Sequence, residues 1–288
     1  MSLQPTDPPL LELAGEIGRG ATGRVWRARL LAPIGGLEAG AEVALKRLHP
    51  ELHGNEPARA AFETECRATA SVRHPGLVRL VQSGVDATGP YLITEYVPGS
   101  TLERVLAEQG PLSEPLLRSV AMQLAGGLAA LHEQGWLHGD VKLENMRIDS
   151  RGRAVLLDLG FARRIRRDPA EAEHPSRSGD AVGSGEEGPD LGPGTGTEPG
   201  AGPGSSIELA QAGEFNPGSL AYLAPERARG ERGDERSDVF SLGVALYELA
   251  TGAHPFAADF AVETPFGERP TSSVHPMVRS WARTMPTA

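Results

Sequence analysis

The chain has 288 residues, of which 39% are hydrophobic and 23% charged, and its formal net charge is −10. This length and apolar content exclude a wholly disordered chain and allow one large or two small domains with a sizeable core. The single cysteine, Cys66, excludes an intramolecular disulfide and a metal site built from several cysteines, and the net acidity argues against a nucleic-acid partner.

The N-terminus, Met1 to Pro9, lacks the basic start and apolar run of a signal peptide. No stretch of the sequence reaches the ~20 apolar residues that a membrane span requires. We therefore expect a soluble, cytoplasmic protein with no membrane partner.

Residues 11–100 contain short apolar runs separated by glycine and polar residues, which predict strands. The runs are Val25-Trp26, Val43 to Leu45, Leu77 to Val81 and Tyr91 to Val97. Between the second and third runs, the segment Ala58 to Val72 has its apolar side chains at helical spacing. The pattern predicts a β-rich first lobe that contains one helix.

From Leu102 onward the apolar spacing becomes helical. It predicts helices over Leu116 to His132 and over Ser237 to Thr251, with a strand over Ala154 to Leu157 between them. A mainly helical second lobe should therefore follow the first.

Residues 168–214 interrupt this second lobe and differ from it in composition. They hold ten acidic residues, one basic residue (Arg177), 11 glycines and 6 prolines. With so few large apolar side chains, the segment cannot bury enough surface to offset its loss of conformational entropy on ordering. We expect a disordered insertion, for which a solvated spacer and a regulatory segment are both open interpretations.

Three glycines, Gly18, Gly20 and Gly23, lie between two predicted strands. Backbone without side chains can approach a polyphosphate closely and donate N–H groups to it, although an ordinary hairpin turn has the same composition. The chain continues from Val25 as a strand, whereas a dinucleotide-binding turn would open a helix. This order favours a glycine-rich flap over ATP.

The chain has only two lysines, Lys46 and Lys142. Lys46 ends a predicted strand, where its ammonium group could reach nucleotide phosphates, although a surface position is the alternative. On the helix that follows, Glu65 shares a face with Phe62 and is the candidate counter-ion, whereas Glu63 is expected to face water.

The segment from His138 to Asn145 is followed, 13 residues later, by Asp158-Leu159-Gly160. Phosphoryl transfer from ATP needs a carboxylate that orients the acceptor hydroxyl, oxygen ligands for Mg²⁺ and cations against the developing charge. The two segments contain all of these groups. Taken singly, Asn145 could cap a turn, Asp158 could end a strand and His138 could be a packed core residue.

Five motifs, in their order along the chain, resemble the signature set of eukaryotic-like (Hanks-type) serine/threonine protein kinases. They are Gly18-x-Gly20-x-x-Gly23-x-Val25, Val43-Ala44-Leu45-Lys46, His138-Gly139-Asp140-Val141-Lys142-x-x-Asn145, Asp158-Leu159-Gly160 and Ala224-Pro225-Glu226. The chain resembles a bacterial member of this family. The resemblance implies an α+β, two-lobed protein kinase-like fold with ATP in the cleft. Its parts would be an N-terminal tail (1–10), the N-lobe (11–97), the first part of the C-lobe (98–167), the insertion within the activation segment (168–214) and a shortened remainder of the C-lobe (215–288).

The resemblance also implies roles for individual residues. Asp140 would be the catalytic base and Lys142 would steady the transferred phosphoryl group. Asn145 and Asp158 would hold Mg²⁺, or Mn²⁺ in its place. Asp238 resembles the helix residue that braces the catalytic loop, a structural role.

The ATP site implied by the resemblance lies mostly in the N-lobe. There Lys46 would bind the phosphates and pair with Glu65, and the backbone of a hinge near residues 95–100 would bind adenine. The other implied ATP-binding residues are Ile17, Gly18, Gly20, Gly23, Val25, Ala44, Glu95 and Val97.

The sequence departs from the family pattern at two places. Gly139 replaces an arginine that, in many members, binds a phosphorylated activation loop, so switching by loop phosphorylation is in doubt. After Phe256 only 32 residues remain, too few for the usual closing helices, and Arg279 and Arg283 are the candidates to pair with Glu226.

The implied function is Mg²⁺- and ATP-dependent phosphorylation of serine and threonine hydroxyls on protein substrates, including autophosphorylation through self-association. One alternative is a pseudokinase that acts as a nucleotide-binding scaffold. Another is a small-molecule phosphotransferase, which normally lacks the segment Ala224-Pro225-Glu226.

Overall fold

The computed structural model describes residues 10–165 and 220–256. The predicted insertion (168–214) and the residues from 257 onward, which include Arg279 and Arg283, lie outside these ranges. Within the described ranges, no helix is both long and apolar enough to cross a membrane.

Five antiparallel strands form the first lobe, in the spatial order β1, β2, β3, β5, β4. They are β1 (Leu11–Arg19), β2 (Gly23–Leu30), β3 (Glu42–Leu48), β4 (Leu80–Asp86) and β5 (Gly89–Glu95). Val43 and Leu45 of β3 are buried in a cluster on one face of the sheet. Because side chains alternate along a strand, Ala44 and Lys46 lie on the other face.

The predicted helix of the first lobe is α1 (Glu56–Ser71). Asn55 caps its N-terminus by accepting a hydrogen bond from Ala58 N at 3.0 Å. Phe62 and Cys66 pack against Leu48 and Leu92 of the sheet. The same buried face carries Glu65, so packing of the apolar residues brings a carboxylate toward the strand that holds Lys46.

One predicted strand begins later than expected. The run Leu77 to Val81 predicts a strand, but β4 starts at Leu80. Val78 N instead donates to Leu156 O at 3.0 Å, and Leu156 N donates to Gly76 O at 2.9 Å. These residues are held by the second lobe, a long-range contact that a local apolar run does not reveal.

The second lobe is built around helices. They are α2 (Leu102–Gln109), α3 (Glu114–Glu133), α4 (Pro225–Ala228) and α5 (Glu235–Thr251). Buried side chains of α2, α3 and α5 meet in one core that includes Leu124, Leu128, Leu242 and Leu249, whereas Ala228 of α4 lies in a separate cluster. The two predicted long helices are therefore confirmed, each within two residues at either end.

Short strands complete the second lobe and face the first. β6 (Ser100–Thr101), β8 (Met146–Ile148) and β9 (Ala154–Leu156) form one sheet, and β7 (Trp136–Leu137) pairs with β10 (Arg163–Arg164). The hinge, residues 95–100, connects β5 to β6. The loop that the resemblance implies to be catalytic, residues 138–145 (the catalytic loop), lies between β7 and β8. The two-lobed fold predicted from the sequence is thus confirmed.

We predict that Leu124→Ala, in the middle of α3, lowers the free energy of unfolding by about 2–5 kcal/mol, because its side chain is fully buried and its removal leaves a cavity. Met122 on the same helix is 71% exposed. Met122→Ala is the matched control and should change stability by no more than about 0.5 kcal/mol. Urea denaturation of both variants measures the difference, and equal losses would contradict the packing described here.

Candidate active site

A cavity of about 260 Å³ lies in the cleft, with residues of both lobes in its wall. Ten of the residues predicted for the site line it: Ile17, Gly18, Val25, Ala44, Lys46, Glu65, Glu95, Val97, Asn145 and Asp158. Gly20 and Gly23 of the glycine-rich turn are not part of this wall, and neither are Asp140 and Lys142 of the catalytic loop.

Some residues of the wall were not predicted from the sequence, among them Thr101, Glu144, Arg147 and Leu157. Strand alternation could have indicated Arg147. Its neighbours Met146 and Ile148 pack against the core of the second lobe, so Arg147 lies on the opposite face of β8. Thr101 is paired with Arg147 across β6 and β8, which brings it to the same wall.

Three charged side chains meet at one end of the cavity. Lys46 Nζ lies 2.6 Å from Glu65 Oε1 and 3.0 Å from Asp158 Oδ1. Glu65 is 4% exposed, whereas Glu63 on the next face of α1 is only half-buried and forms no part of the wall. The geometry therefore selects Glu65 as the counter-ion of Lys46.

Burial and charge act in opposite directions on these groups. Burial disfavours the charge on Lys46, but the carboxylates of Asp158 and Glu65 outweigh it and raise the pKa of Lys46 above its ordinary value. Burial raises the pKa of Glu65 to about 7. The ammonium of Lys46 lowers the pKa of Asp158 to about 2. Lys46 and Asp158 therefore keep their charges at neutral pH.

Asp158 has a left-handed backbone, with φ +57°, and it is the one non-glycine residue with a positive φ in the described part of the chain. This conformation costs a non-glycine residue about 1–2 kcal/mol. Its carboxylate accepts a hydrogen bond from Gly160 N at 3.1 Å, which fixes the turn that follows β9. The strained backbone carries the charged carboxylate to the cavity wall.

The catalytic loop brings a carboxylate, an ammonium group and an amide together. Lys142 Nζ lies 2.8 Å from Asp140 Oδ2. Asn145 Nδ2 donates to Asp140 Oδ2 at 2.9 Å and to Asp140 O at 2.8 Å. Because these contacts hold Asp140 from two sides, its carboxylate has a fixed position beside the cavity.

Asp238, near the start of α5, binds the backbone of the catalytic loop. Its carboxylate accepts hydrogen bonds from His138 N at 2.8 Å and from Gly139 N at 2.9 Å. His132 Nε2 lies 2.8 Å from the same carboxylate. Although burial opposes its charge, these donors hold the pKa of Asp238 below its ordinary value.

His138 is fully buried and bonded at both ring nitrogens. Its Nε2 donates to Leu157 O at 3.0 Å, and its Nδ1 accepts from Asp140 N at 3.3 Å. A carbonyl oxygen only accepts and a backbone N–H only donates, so these partners assign the proton to Nε2. The structure therefore supports the interpretation of His138 as a packed core residue.

Gly139 has φ +81°, a conformation that favours glycine. A Cβ added here would lie 2.5 Å from Phe161 O. Gly139, where the sequence departs from the family pattern, therefore suits both the positive φ of the backbone and the lack of space for a side chain.

Comparison with known proteins now identifies the family. The model for the protein kinase domain matches residues 11–179, more than half of the chain. The chain belongs to the protein kinase family. The matched residues include the Lys46, Asp140 and Asp158 positions described above.

Individual relatives agree with this assignment. The kinase is 30% identical over 254 residues to the serine/threonine-protein kinase PknL of Mycobacterium tuberculosis. This alignment covers 87% of the present chain and 51% of PknL. It is 32% identical over 244 residues to the serine/threonine-protein kinase pkn2 of Myxococcus xanthus, covering 80% of this chain and 25% of pkn2. For the serine/threonine-protein kinase pkn3 of the same organism, the identity is 31% over 251 residues, and the alignment covers 85% of this chain and 38% of pkn3. The chain thus spans about half the length, or less, of these relatives.

We predict that Asp238→Asn lowers the free energy of unfolding by about 2–4 kcal/mol, because the amide replaces one acceptor oxygen with a donor that faces buried N–H groups. Glu235→Gln, one turn earlier on α5, is the control and should stay within about 0.5 kcal/mol. Thermal and denaturant unfolding measure both variants. An Asp238→Asn protein as stable as the wild type would refute the bracing contact.

We also predict opposite signs for two glycine substitutions. Gly139→Ala should destabilise the kinase by about 1–3 kcal/mol, because the added Cβ meets Phe161 O at a positive φ. Gly243→Ala, in the interior of α5, has nothing within 4 Å of the new Cβ. It should stabilise by about 0.5–1 kcal/mol, because alanine favours the helix. Denaturation midpoints that shift in the same direction would contradict this difference.

Proposed function

We propose that this kinase transfers the terminal phosphoryl group of ATP to serine and threonine hydroxyls on proteins, with Mg²⁺ as the metal. The observation that carries the proposal is the arrangement of Asp140, Lys142 and Asn145 beside a cavity that ends at Lys46, Glu65 and Asp158. The family relationship and the serine/threonine kinase relatives support the same reaction. The pseudokinase alternative is not favoured, because each of these groups is present and in contact with its partners.

The cavity suits a nucleotide because its wall changes character along its length. Ile17, Val25 and Ala44 are small or apolar and fit a nucleobase, whereas Lys46 and Asp158 supply charge where phosphates would lie. Gly23, the third glycine of the motif and the first residue of β2, has a further reason to be glycine, because an added Cβ would collide with Arg47 O.

Asn145 and Asp158 fit a hard divalent cation, because both offer oxygen ligands. The amide nitrogen of Asn145 donates to Asp140, which leaves its carbonyl oxygen as the ligand atom. Mg²⁺ commonly takes one or two protein oxygens and fills its shell with phosphate and water. Mn²⁺ accepts the same oxygen donors, so we propose that it substitutes for Mg²⁺.

In the reaction that we propose, bound Mg²⁺-ATP supplies an electrophilic phosphoryl group with part of its charge neutralised. Asp140 accepts the proton of the acceptor hydroxyl and orients its oxygen, which forms a bond to the terminal phosphorus of ATP as the bond from that phosphorus to the bridging oxygen breaks and ADP leaves. Lys142, 2.8 Å from the same carboxylate, offsets the negative charge that develops beside it. Lys46 is held by Glu65 in position to bind nucleotide phosphates.

Several finer features belong to the same proposal. We propose that the kinase phosphorylates itself through transient self-association, with Ser176, Ser178, Thr195 and Ser205 as candidate acceptors. We also propose a cytoplasmic location. The single cysteine fits a reducing compartment, because the chain cannot form an intramolecular disulfide.

We predict that Asp140→Asn lowers phosphate incorporation from labelled ATP and Mg²⁺ by about 10²-fold or more, because the general base is lost. A generic basic protein and the kinase itself serve as acceptors, and mass spectrometry locates the modified residues. Asp234→Asn is the control and should retain activity, because asparagine caps α5 as well as aspartate does.

Three outcomes would contradict the proposal. The first is a folded wild type that binds ATP and transfers nothing, which would favour the scaffold. The second is Asp140→Asn with wild-type activity, which would remove Asp140 from the chemistry. Phosphorylation confined to tyrosine would overturn the serine/threonine assignment.

A further inference from the structure

The turn between β8 and β9 and the start of β9 contact the hinge at two positions. Arg153 forms two hydrogen bonds with the Glu95 carboxylate, from Nη2 to Oε1 at 2.7 Å and from Nη1 to Oε2 at 3.3 Å. Val155, two residues later, is fully buried in a cluster with Val97. The hinge residues Glu95 and Val97 are thus each held by a residue of the second lobe.

Arg153 also contacts a third segment. Its Nε donates to Pro75 O at 3.2 Å, in the connection between α1 and β4. Glu95 Oε1 in turn accepts a hydrogen bond from Arg79 N at 3.3 Å. One guanidinium therefore connects Glu95, at the end of β5, with Pro75 in the segment that precedes β4.

The base from which Arg153 extends is rigid. Asp149 Oδ1 accepts hydrogen bonds from Arg151 N at 2.8 Å and from Arg153 N at 3.0 Å, which closes the turn. Gln123 of α3 fixes the same turn, donating to Gly152 O and accepting from Ala154 N, both at 3.0 Å. Since α3 lies in the core of the second lobe, Arg153 connects that core to the hinge.

The pair has the geometry of a specific contact. A planar guanidinium that meets both oxygens of a carboxylate fixes direction as well as distance, which a single ion pair does not. Both side chains are partly shielded from water, Arg153 at 35% exposed and Glu95 at 18%. Such a pair has a modest energy, and its bidentate geometry fixes the orientation of the two side chains.

We propose that Arg153 is a positioning residue for nucleobase binding: through the Glu95 carboxylate it sets the hinge backbone that binds the base. The inference rests on the proposed function, in that the cavity must bind ATP. It concerns the nucleoside half of the nucleotide and not the phosphates, which lie at the end of the cavity that carries Lys46. Arg153 itself touches neither substrate nor reacting atoms.

The test measures binding and not turnover. Dissociation constants for ATP and for inorganic tripolyphosphate are determined by calorimetry, with Mg²⁺, for the wild type, Glu95→Gln, Arg153→Gln and the double variant. Each single substitution should weaken ATP binding about three- to tenfold, the range of a partly exposed bidentate pair. Tripolyphosphate binding should not change, because tripolyphosphate has no base.

The double variant is decisive. If the two side chains act through one contact, its ATP affinity should match that of the single variants, with no further loss. Arg151→Gln, on the same turn but exposed, is the matched control and should bind ATP as the wild type does. Arg153→Lys keeps a charge but not the bidentate geometry, and its affinity should be intermediate.

Three results would overturn the proposal. They are unchanged ATP affinity in Arg153→Gln, equal weakening for ATP and tripolyphosphate, and single-variant losses that add in the double variant. Should Arg153→Gln fail to fold, as judged by circular dichroism, Arg153→Lys takes its place in the comparison. A wild type that binds no ATP would instead refute the proposed function, so the two failures are distinguishable.

Discussion

The buried carboxylate of Asp238 is the contact on which the rest of the active site depends. It sits near the N-terminus of α5, on the helix face that continues through Leu242, Ala245 and Leu249 into the core of the second lobe, and it accepts two consecutive backbone N–H groups of the catalytic loop. A loop that contains Gly139, with its freedom of rotation, would otherwise have many conformations. The Asp238 carboxylate restricts these conformations and thereby fixes the direction in which the side chain of Asp140 points.

In the cleft, too, charged side chains are positioned by secondary-structure elements that pack into a core. Lys46 sits on a strand whose other face is buried, and Glu65 sits on a helix whose apolar neighbours are buried. Neither side chain is free to move far without unpacking a core. The polar geometry of the site is therefore an outcome of apolar packing on both sides of it. Lys46, at 2.6 Å, offsets only part of the electrostatic cost of burying Glu65, whose pKa stays raised.

Much of this could be predicted from the sequence, because the signals are local. Helical spacing predicted α1, α3 and α5 to within two residues, and the same spacing separated Glu65 from Glu63. The start of β4 was predicted wrongly, because Val78 bonds to Leu156 of the other lobe. The contact of Arg153 with Glu95 was not foreseen for the same reason: the two residues lie 58 positions apart, and only the tertiary fold brings them together.

The left-handed backbone of Asp158 also limits how this position can vary. Among residues with a side chain, aspartate and asparagine tolerate that conformation best, because their short polar groups can bond locally. A longer acid such as glutamate would keep the charge and lose the conformation, whereas asparagine would keep the conformation and lose the charge. The position is thus constrained twice, once by its backbone conformation and once by the ammonium group of Lys46, and no substitution satisfies both constraints.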